Sequence, residues 1–362
     1  MRESGATELS EVGSTPSGWH RVSSADWQSG LVSVILVNWN GERYIEKCLE
    51  SVRRQTWTCV EIILIDNAST DRSLELAGSF KDLDITVLRN GENLGFAVAS
   101  NQGIQVAKGE FVMFLNLDAH LHEQYIESLV TALQSDSGLG SATGKLYQLR
   151  YGAESHFIDS AGICVLTSRE CLDRGQGQKD AGQFDRSELV FGASAAAGLY
   201  RRETLEALAF EGEYLDNAFQ MYKEDVDLAW RSLLCGWECL YVPTAIGWHE
   251  RGGSTVRLPR YIDVHSFKNR YLMVLKNDRL PDLLLDIIPI TIFNMIDWIK
   301  MIRWPYLGAA IPQILRVLPR ILRWRRVIKS ARRAEPDVPR RYFQSSRGMI
   351  RRRWTAWRES WR

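Results

Sequence analysis

Phe111-Val112-Met113-Phe114-Leu115-Asn116-Leu117-Asp118-Ala119 is the stretch on which the fold turns. Five apolar residues run without a break into Asn, Leu and Asp, and then a small residue follows. A short, continuously apolar run suits a parallel strand buried on both faces. Open α/β sheets gather their ligands just beyond the carboxyl ends of such strands. Asp118 therefore stands where a carboxylate can hold a divalent cation against a phosphate-bearing ligand. Asn116 and Asp118 equally suit a cap on the next turn or helix, so the neighbouring segments must decide.

Upstream, residues 31–37 form a β-branched run that ends at Asn38-Trp39-Asn40-Gly41, a turn-rich tetrad. Tyr44, Ile45, Cys48, Leu49 and Val52 then recur at helical spacing. A second strand, residues 60–65, ends at Asp66-Asn67-Ala68-Ser69-Thr70-Asp71, which suits the cap of a further helix. A third short strand at 84–88 leads to Asn93-Leu94-Gly95-Phe96, the opening of a helix that runs to Ala107. The quoted stretch is the fourth strand, and a helix over about 122–133 follows it. Strands alternating with helices predict right-handed βαβ units, hence an α/β fold with a mainly parallel sheet flanked by helices. Polar clusters close three of the strands, at Asn38, Asp66 and Asn116 with Asp118, and side chains converging on one sheet edge make a site. No GxGxxG follows the first strand, which disfavours an ordinary dinucleotide site.

Downstream the signals are sparser. Phe191-Gly192-Ala193-Ser194-Ala195-Ala196-Ala197-Gly198 lets backbone approach a ligand or another strand closely. Residues 169–184 are polar and Gly-rich and read as a mobile loop. In Lys223-Glu224-Asp225-Val226-Asp227-Leu228-Ala229-Trp230-Arg231 the apolar positions share a helical face, which puts Glu224 and Asp225 at a helix start. The helix dipole favours carboxylates there, as cap or as functional pair. His249 follows an apolar strand end beside Gly252-Gly253, where a neutral imidazole can ligate a metal or play a structural part.

The chain has 362 residues, 45% apolar and 25% charged, with a net charge of +1. That near-neutrality hides an asymmetry. From Arg279 onward there are 19 Lys/Arg against 6 Asp/Glu, a net of +13, which leaves 26 basic and 38 acidic residues before it. Such a basic tail meets something anionic. Residues 283–302 contain Asp286, Pro289, Asp297 and Lys300, too many breaks for a span of about 20 apolar residues. They read as interfacial or packing helices. Arginines interleaved with Trp324, Trp354, Trp357 and Trp361 have the composition of an interfacial anchor on anionic lipid, or of a solvated basic helix. Six cysteines without CxxC or zinc spacing read as buried, reduced thiols. Residues 1–30 are polar and acidic, lack an apolar h-region, and read as a disordered arm.

Taken together, Val34-Ile35-Leu36-Val37-Asn38-Trp39-Asn40, Ile65-Asp66-Asn67-Ala68-Ser69-Thr70-Asp71, Asn93-Leu94-Gly95-Phe96 through Asn101-Gln102-Gly103, and Leu115-Asn116-Leu117-Asp118-Ala119 stand in the order of a known family. With Glu224-Asp225 and Trp248-His249 further on, the chain resembles the family 2 glycosyltransferases, and more narrowly their bacterial rhamnosyltransferase-like branch. The resemblance covers residues 31–278 and implies a GT-A fold: a nucleotide-sugar half over 31–140, an acceptor half over 141–278, then a basic helical extension over 279–362. It implies inverting transfer from a nucleoside-diphosphate sugar, dTDP-rhamnose or a UDP-sugar, to a lipid-linked or cell-surface glycan at the inner face of the cell membrane, with no nucleic-acid partner. By position, Asp225 is the expected base. Asp118 and His249 are the expected ligands of Mg²⁺ or Mn²⁺. Asn38, Trp39, Asp66, Asn67, Asn93, Asn101, Asn116 and Glu224 are expected to bind substrate, Asp66 by accepting from the nucleobase ring N–H. The sequence has Asn116-Leu117-Asp118 where the branch commonly has Asn-Pro-Asp, so a single carboxylate serves the metal. The rival readings are a sugar nucleotidyltransferase, disfavoured by the lack of a Gly-rich triphosphate loop, and a membrane-bound scaffold with a decayed transferase domain.

Overall fold

The computed structural model describes residues 10–12, 26–150, 152–251, 259–303, 306–335 and 337–346. The first part alternates: β1 (Ser10–Val12), β2 (Gln28–Asn38), α1 (Ile45–Arg53), β3 (Val60–Asp66), α2 (Ser73–Ala77), β4 (Ile85–Arg89), α3 (Phe96–Val106), β5 (Gly109–Leu115), β6 (Ala119–Leu121) and α4 (Tyr125–Ser135). A strand-rich stretch follows with β7 (Leu139–Arg150), β8 (Ala153–Ser160), β9 (Ile163–Leu166), β10 (Cys171–Asp173), β11 (Glu188–Val190) and β12 (Ala197–Arg201). Next come α5 (Arg202–Leu208), α6 (Glu224–Leu234) and β13 (Glu238–His249). The rest is α7 (Pro259–Asn277), α8 (Leu280–Leu285), α9 (Ile287–Arg303), α10 (Leu307–Ala331), α11 (Val338–Arg341) and β14 (Phe343–Gln344).

Eleven strands join in one sheet, ordered β1-β4-β3-β2-β5-β12-β7-β13-β11, with β6 beside β13 and β8 beside β7. Successive side chains of a strand point to opposite faces, and here both faces are apolar. Val32, Val34 and Leu36 of β2 join Phe111, Met113 and Leu115 of β5 in a core with α1 and α4. Ile35, Val112 and Phe114 enter a second core on the other face. The quoted stretch is thus a central strand covered on both sides.

β4, β3, β2 and β5 run parallel, as expected from the βαβ pattern. Beyond β5 the sheet becomes mixed: β12 is antiparallel to β5, with Ala197 opposite Leu115, because the chain re-enters at the carboxyl end of β5. Two expectations need correction. Residues 169–184 are not a loose loop: Arg169 is fully buried and pairs with Asp278 at 2.6 Å and Asp286 at 2.7 Å, and β10 pairs with β9. The segment expected to be a disordered arm contributes β1, which lies parallel to β4, and β2 begins at Gln28; residues 1–9 and 13–25 lie outside the described residues. All six cysteines are unpaired, and Cys59 is exposed rather than buried.

The extension is not a separate appendage. Ile321, Trp324 and Ile328 of α10 share a core with Trp230 and Leu233 of α6 and Leu272 and Met273 of α7. Trp324, expected at a lipid interface, is 1% exposed and packs edge-on against Phe210 with Lys276 4.3 Å from its ring. The arginine- and tryptophan-rich residues 351–362 lie outside the described residues. Beneath Trp324 lies a buried ionic cluster in which Lys276 Nζ is 2.8 Å from carboxylate oxygens of both Asp216 and Asp227. Asp227 also accepts from Arg231 at 2.9 Å. Removing one partner of such a cluster leaves an uncompensated buried charge.

Trp324→Ala should lower stability by about 3–5 kcal/mol in denaturant unfolding, whereas Trp298→Ala on the exposed side of α9 should cost about 1 kcal/mol. Acid should also destabilise the protein. Burial alone would raise the Asp216 carboxyl, but the Lys276 ammonium, aided by Arg320, outweighs it and holds it at about 2. A depressed carboxylate stabilises the fold above its unfolded value. About 2 kcal/mol should therefore be lost as pH falls from ~4 towards ~2, and Asp216→Asn should flatten that limb.

Candidate active site

A cleft of about 750 Å³ opens at the carboxyl ends of the parallel strands, facing the start of α6. Trp39, Asn67, Asn93, Asn116, Asp118, Glu224, Asp225 and His249 all line it, so eight of the eleven expected site residues converge on one space.

β6 and β13 bring the Asp–His pair together. Antiparallel pairing sets Gly247 opposite Leu121 and His249 opposite Ala119, and Glu250 N–H donates to the Asp118 carbonyl at 2.8 Å. His249 Nε2 consequently lies 3.2 Å from Asp118 Oδ1, while its Nδ1 lies 2.8 Å from Oδ2 of Asp159, a fully buried carboxylate at the end of β8. Burial works against charge on His249, but the hydrogen bonds to Asp118 and Asp159 outweigh it and push the imidazole up to about 10. Arg251 closes the cluster, donating to Asp159 at 3.0 Å and to Asp173 at 2.5 Å.

Asp118 and His249 fit a divalent cation. One imidazole nitrogen is held by a buried carboxylate and the other faces a second carboxylate, the arrangement that orients a metal-binding histidine. Two protein ligands do not fill a six-coordinate shell, and among the described residues no group of three or more His, Cys, Asp or Glu side chains forms a metal cluster. Leu117 is buried in the core beneath Gly41, where a Cβ would come within 2.7 Å of its Cδ1. The middle position of Asn116-Leu117-Asp118 therefore has a packing role.

Opposite this cluster, α6 begins at Glu224. Asp225 accepts from Val226 N–H at 2.8 Å and from Ala195 N–H at 3.2 Å. It therefore caps its own helix and also faces the cleft. Burial raises its carboxyl above the ordinary value, against the Ala195 N–H that holds it down. Glu224 is raised as well, by burial and by the neighbouring Asp225 charge, and its Oε2 meets no hydrogen-bond partner among the described residues. The small residues of 191–198 now have a purpose: Ser194, Ala195 and Ala196 form a cleft wall, and a Cβ on Gly192 would meet Ala229 of α6 at 2.1 Å. Before α6, Gln220, Tyr222 and Lys223 all have positive φ, a conformation costing roughly 1–3 kcal/mol per non-glycine residue. Fully buried Asn269 of α7 pins this turn, its Nδ2 lying 2.9, 2.7 and 2.8 Å from the carbonyls of Phe219, Met221 and Tyr222.

Three expected residues do not line the cleft. Asn101 is spent on the 214–217 segment: its Nδ2 donates to the Leu215 carbonyl and Asn217, and its Oδ1 accepts from the N–H groups of Tyr214 and Leu215. Its amide thus holds the 214–217 segment rather than the cleft wall. Asn38 and Asp66 are buried neighbours across the β2–β3 ladder, joined at 2.7 Å, and Ser69 N–H occupies the other Asp66 oxygen at 3.1 Å. Trp39 and Asn67, the next residues along, reach the cleft. Asn67 Nδ2 approaches Asn93 Oδ1 at 3.3 Å. Sequence reasoning missed Asp159, Asp173 and Arg251. Asp159 carried a readable signal, an acidic residue directly after apolar residues at a strand end, as at Asp66 and Asp118.

A profile described as "Glycosyl transferase family 2" matches residues 33–208. Glycosyltransferase GlyG of Streptococcus pneumoniae is 32% identical over 154 residues, covering 41% of this chain and 51% of GlyG. Glycosyltransferase AglE of Haloferax volcanii is 34% identical over 167 residues, covering 44% of this chain and 54% of AglE. The chain thus spans about half the length of these curated relatives. Among solved structures, GalNAc-T7 with UDP, GalNAc and Mn²⁺ aligns with a TM-score of 0.53 at 18% identity, covering 68% of this chain and 48% of that one. The mannosyltransferase PcManGT from Pyrobaculum calidifontis, in complex with GDP-Man and Mn²⁺, aligns with a TM-score of 0.50 at 16% identity, covering 83% and 85%. The chain is thus similar to family 2 glycosyl transferases over residues 33–208, and it has the GT-A fold of these solved structures.

Proposed function

We propose that the chain transfers a sugar, with inversion, from a nucleoside-diphosphate sugar to an acceptor hydroxyl. The observation that carries this reading is the single cleft shared by the Asp118–His249–Asp159 cluster and the carboxylates at the start of α6. Trp39, Asn67 and Asn93 border the nucleobase, with Asp66 and Asn38 behind them fixing the strand ends. Asp118 and His249 would hold Mg²⁺ or Mn²⁺, with Asp159 orienting His249, and the metal would neutralise charge on the diphosphate leaving group. The Mn²⁺ in the two similar structures agrees with that choice. Arg251, beside Asp173 and lining the same cleft, adds positive charge at that end.

Asp225 accepts the proton of the acceptor hydroxyl while that oxygen bonds to the anomeric carbon and the diphosphate leaves with the bonding electrons. A carboxylate raised by burial is a stronger base than a solvated one, and buried Glu224 beside it adds a second raised carboxyl. Donors in keeping with the resemblance are dTDP-rhamnose and UDP-sugars, and the acceptor is a lipid-linked or cell-surface glycan. A lipid-borne acceptor places the enzyme peripherally at the inner face of the membrane, with the C-terminal extension as the contacting element.

Asp225→Asn should lower kcat by roughly 10²–10⁴ with little change in donor KM, and unchanged turnover would remove Asp225 as the base. In the wild type the acidic limb of kcat/KM should lie above the ordinary aspartate value of 3.8, activity falling as the pH drops through the raised value. Because His249 holds its proton to about pH 10, Mn²⁺ uptake near neutral pH should release about one proton. Calorimetry in buffers of differing ionisation enthalpy reads that release. Asp159→Asn should weaken Mn²⁺ about 10–100-fold, and full activity in excess EDTA would exclude the metal. Thermal shift across a donor panel with Mn²⁺ identifies the sugar nucleotide, and the absence of any metal-dependent shift would favour a scaffold.

A further inference from the structure

Exposed apolar surface is unevenly distributed. Of the fifteen large hydrophobic side chains exposed among the described residues, all but Leu189 and Leu275 lie between Leu280 and Leu322. On α9 they form a stripe, Ile288, Ile292, Met295, Ile299 and Ile302, at alternating spacings of four and three, which is one face of a helix. The opposite side of α9 is apolar too: Phe293 and Met301 are buried, Met301 in a core with Val264 and Phe267 of α7. A helix apolar on both sides, with one side facing solvent, is missing a partner. α8 extends the surface with Leu284 and Leu285, and α10 adds Ile311, Leu315 and Leu322.

Charge selects the partner. Between 280 and 333 the acidic residues are withdrawn: Asp282 and Asp286 are buried, and Asp297 is half-buried. Every described side chain there that is both charged and exposed is basic, including Arg316, Arg323, Arg326 and Lys329. No helix among the described residues is long and apolar enough to cross a membrane. An apolar face rimmed by exposed cations, too short to span, matches a surface lying in the boundary between headgroups and acyl chains.

We infer that the outward face of α8 and α9, with the adjoining face of α10, is a docking surface for an anionic lipid bilayer. This deepens the membrane-contact reading above by naming the surface. It also relates that surface to the cleft. Ile262 and Ser266 of α7 line the cleft, while Phe267 packs on Trp298 of α9 at 6.0 Å between ring centroids and Trp298 Nε1 donates to Tyr271 at 2.7 Å. Two packed helices, α9 and α7, each about 10 Å across, stand between the bilayer face and the acceptor side of the cleft, so an acceptor with its lipid embedded beside them can extend its headgroup there.

The test is flotation of the full chain, without substrate, on vesicles of phosphatidylcholine alone or mixed with phosphatidylglycerol. The chain should float with the mixed vesicles. Ile288→Gln, Met295→Gln and Ile299→Gln combined should reduce the bound fraction more than about tenfold while leaving the circular dichroism spectrum unchanged. Arg316→Gln with Arg326→Gln should weaken binding to the mixed vesicles and reduce its salt dependence. Wild-type protein that stays unbound, or a triple variant that floats equally well, overturns the inference. So does a wild-type dimer in light scattering that the triple substitution splits without any vesicle binding, since the face then joins two copies. Flotation reads none of the transferase chemistry, so the two readings fail separately.

Discussion

The short antiparallel ladder between β6 and β13 is the contact on which the site depends. Three residues on each side, 119–121 and 247–249, bring together segments about 130 positions apart. Without that register, Asp118 would be one more polar residue at the end of a parallel strand. With it, His249 is placed against Asp118, and β8 supplies Asp159 from behind. Coulomb attraction alone does not account for such a placement, because burying an imidazole and two carboxylates costs more solvation than an exposed pair would. The backbone ladder and the apolar sheet hold the cluster, and its charges then set each other's protonation.

α7 does the corresponding work on the α6 side of the cleft. Its Asn269 pins the strained turn before α6, and its Lys276 ties the 216 segment to α6 through Asp216 and Asp227. These buried groups specify a position for Asp225 that propensity would not choose, since Gln220, Tyr222 and Lys223 would relax out of positive φ if unsupported. The same helix packs against α9 and α10. The extension thus shares its packing with the helices that line and support the cleft.

Much of the α/β half was legible because its signals are local. Continuous apolar runs mark doubly covered strands, and acidic residues at their ends mark the ligand edge. The sequence was less legible where one residue type can serve two ends. Asn101 has the same amide as Asn67, and only the packed 214–217 segment shows that its hydrogen bonds are already spent. Trp324 among arginines has an interfacial composition, yet helical phase turns it inward against Lys276 while Ile288 and Met295 face out.

By itself the sequence determined the parallel strands, the helix that starts at Glu224, and eight residues that meet in one cleft. Each follows from periodicity and from the chemistry of chain ends, which act over a few residues. Only the tertiary structure decided that β12 runs antiparallel, that Asp159 stands behind His249, and which face of the basic extension is buried. Those outcomes depend on contacts between segments far apart in the chain, where no local pattern records which partner an amide, a carboxylate or an indole will meet.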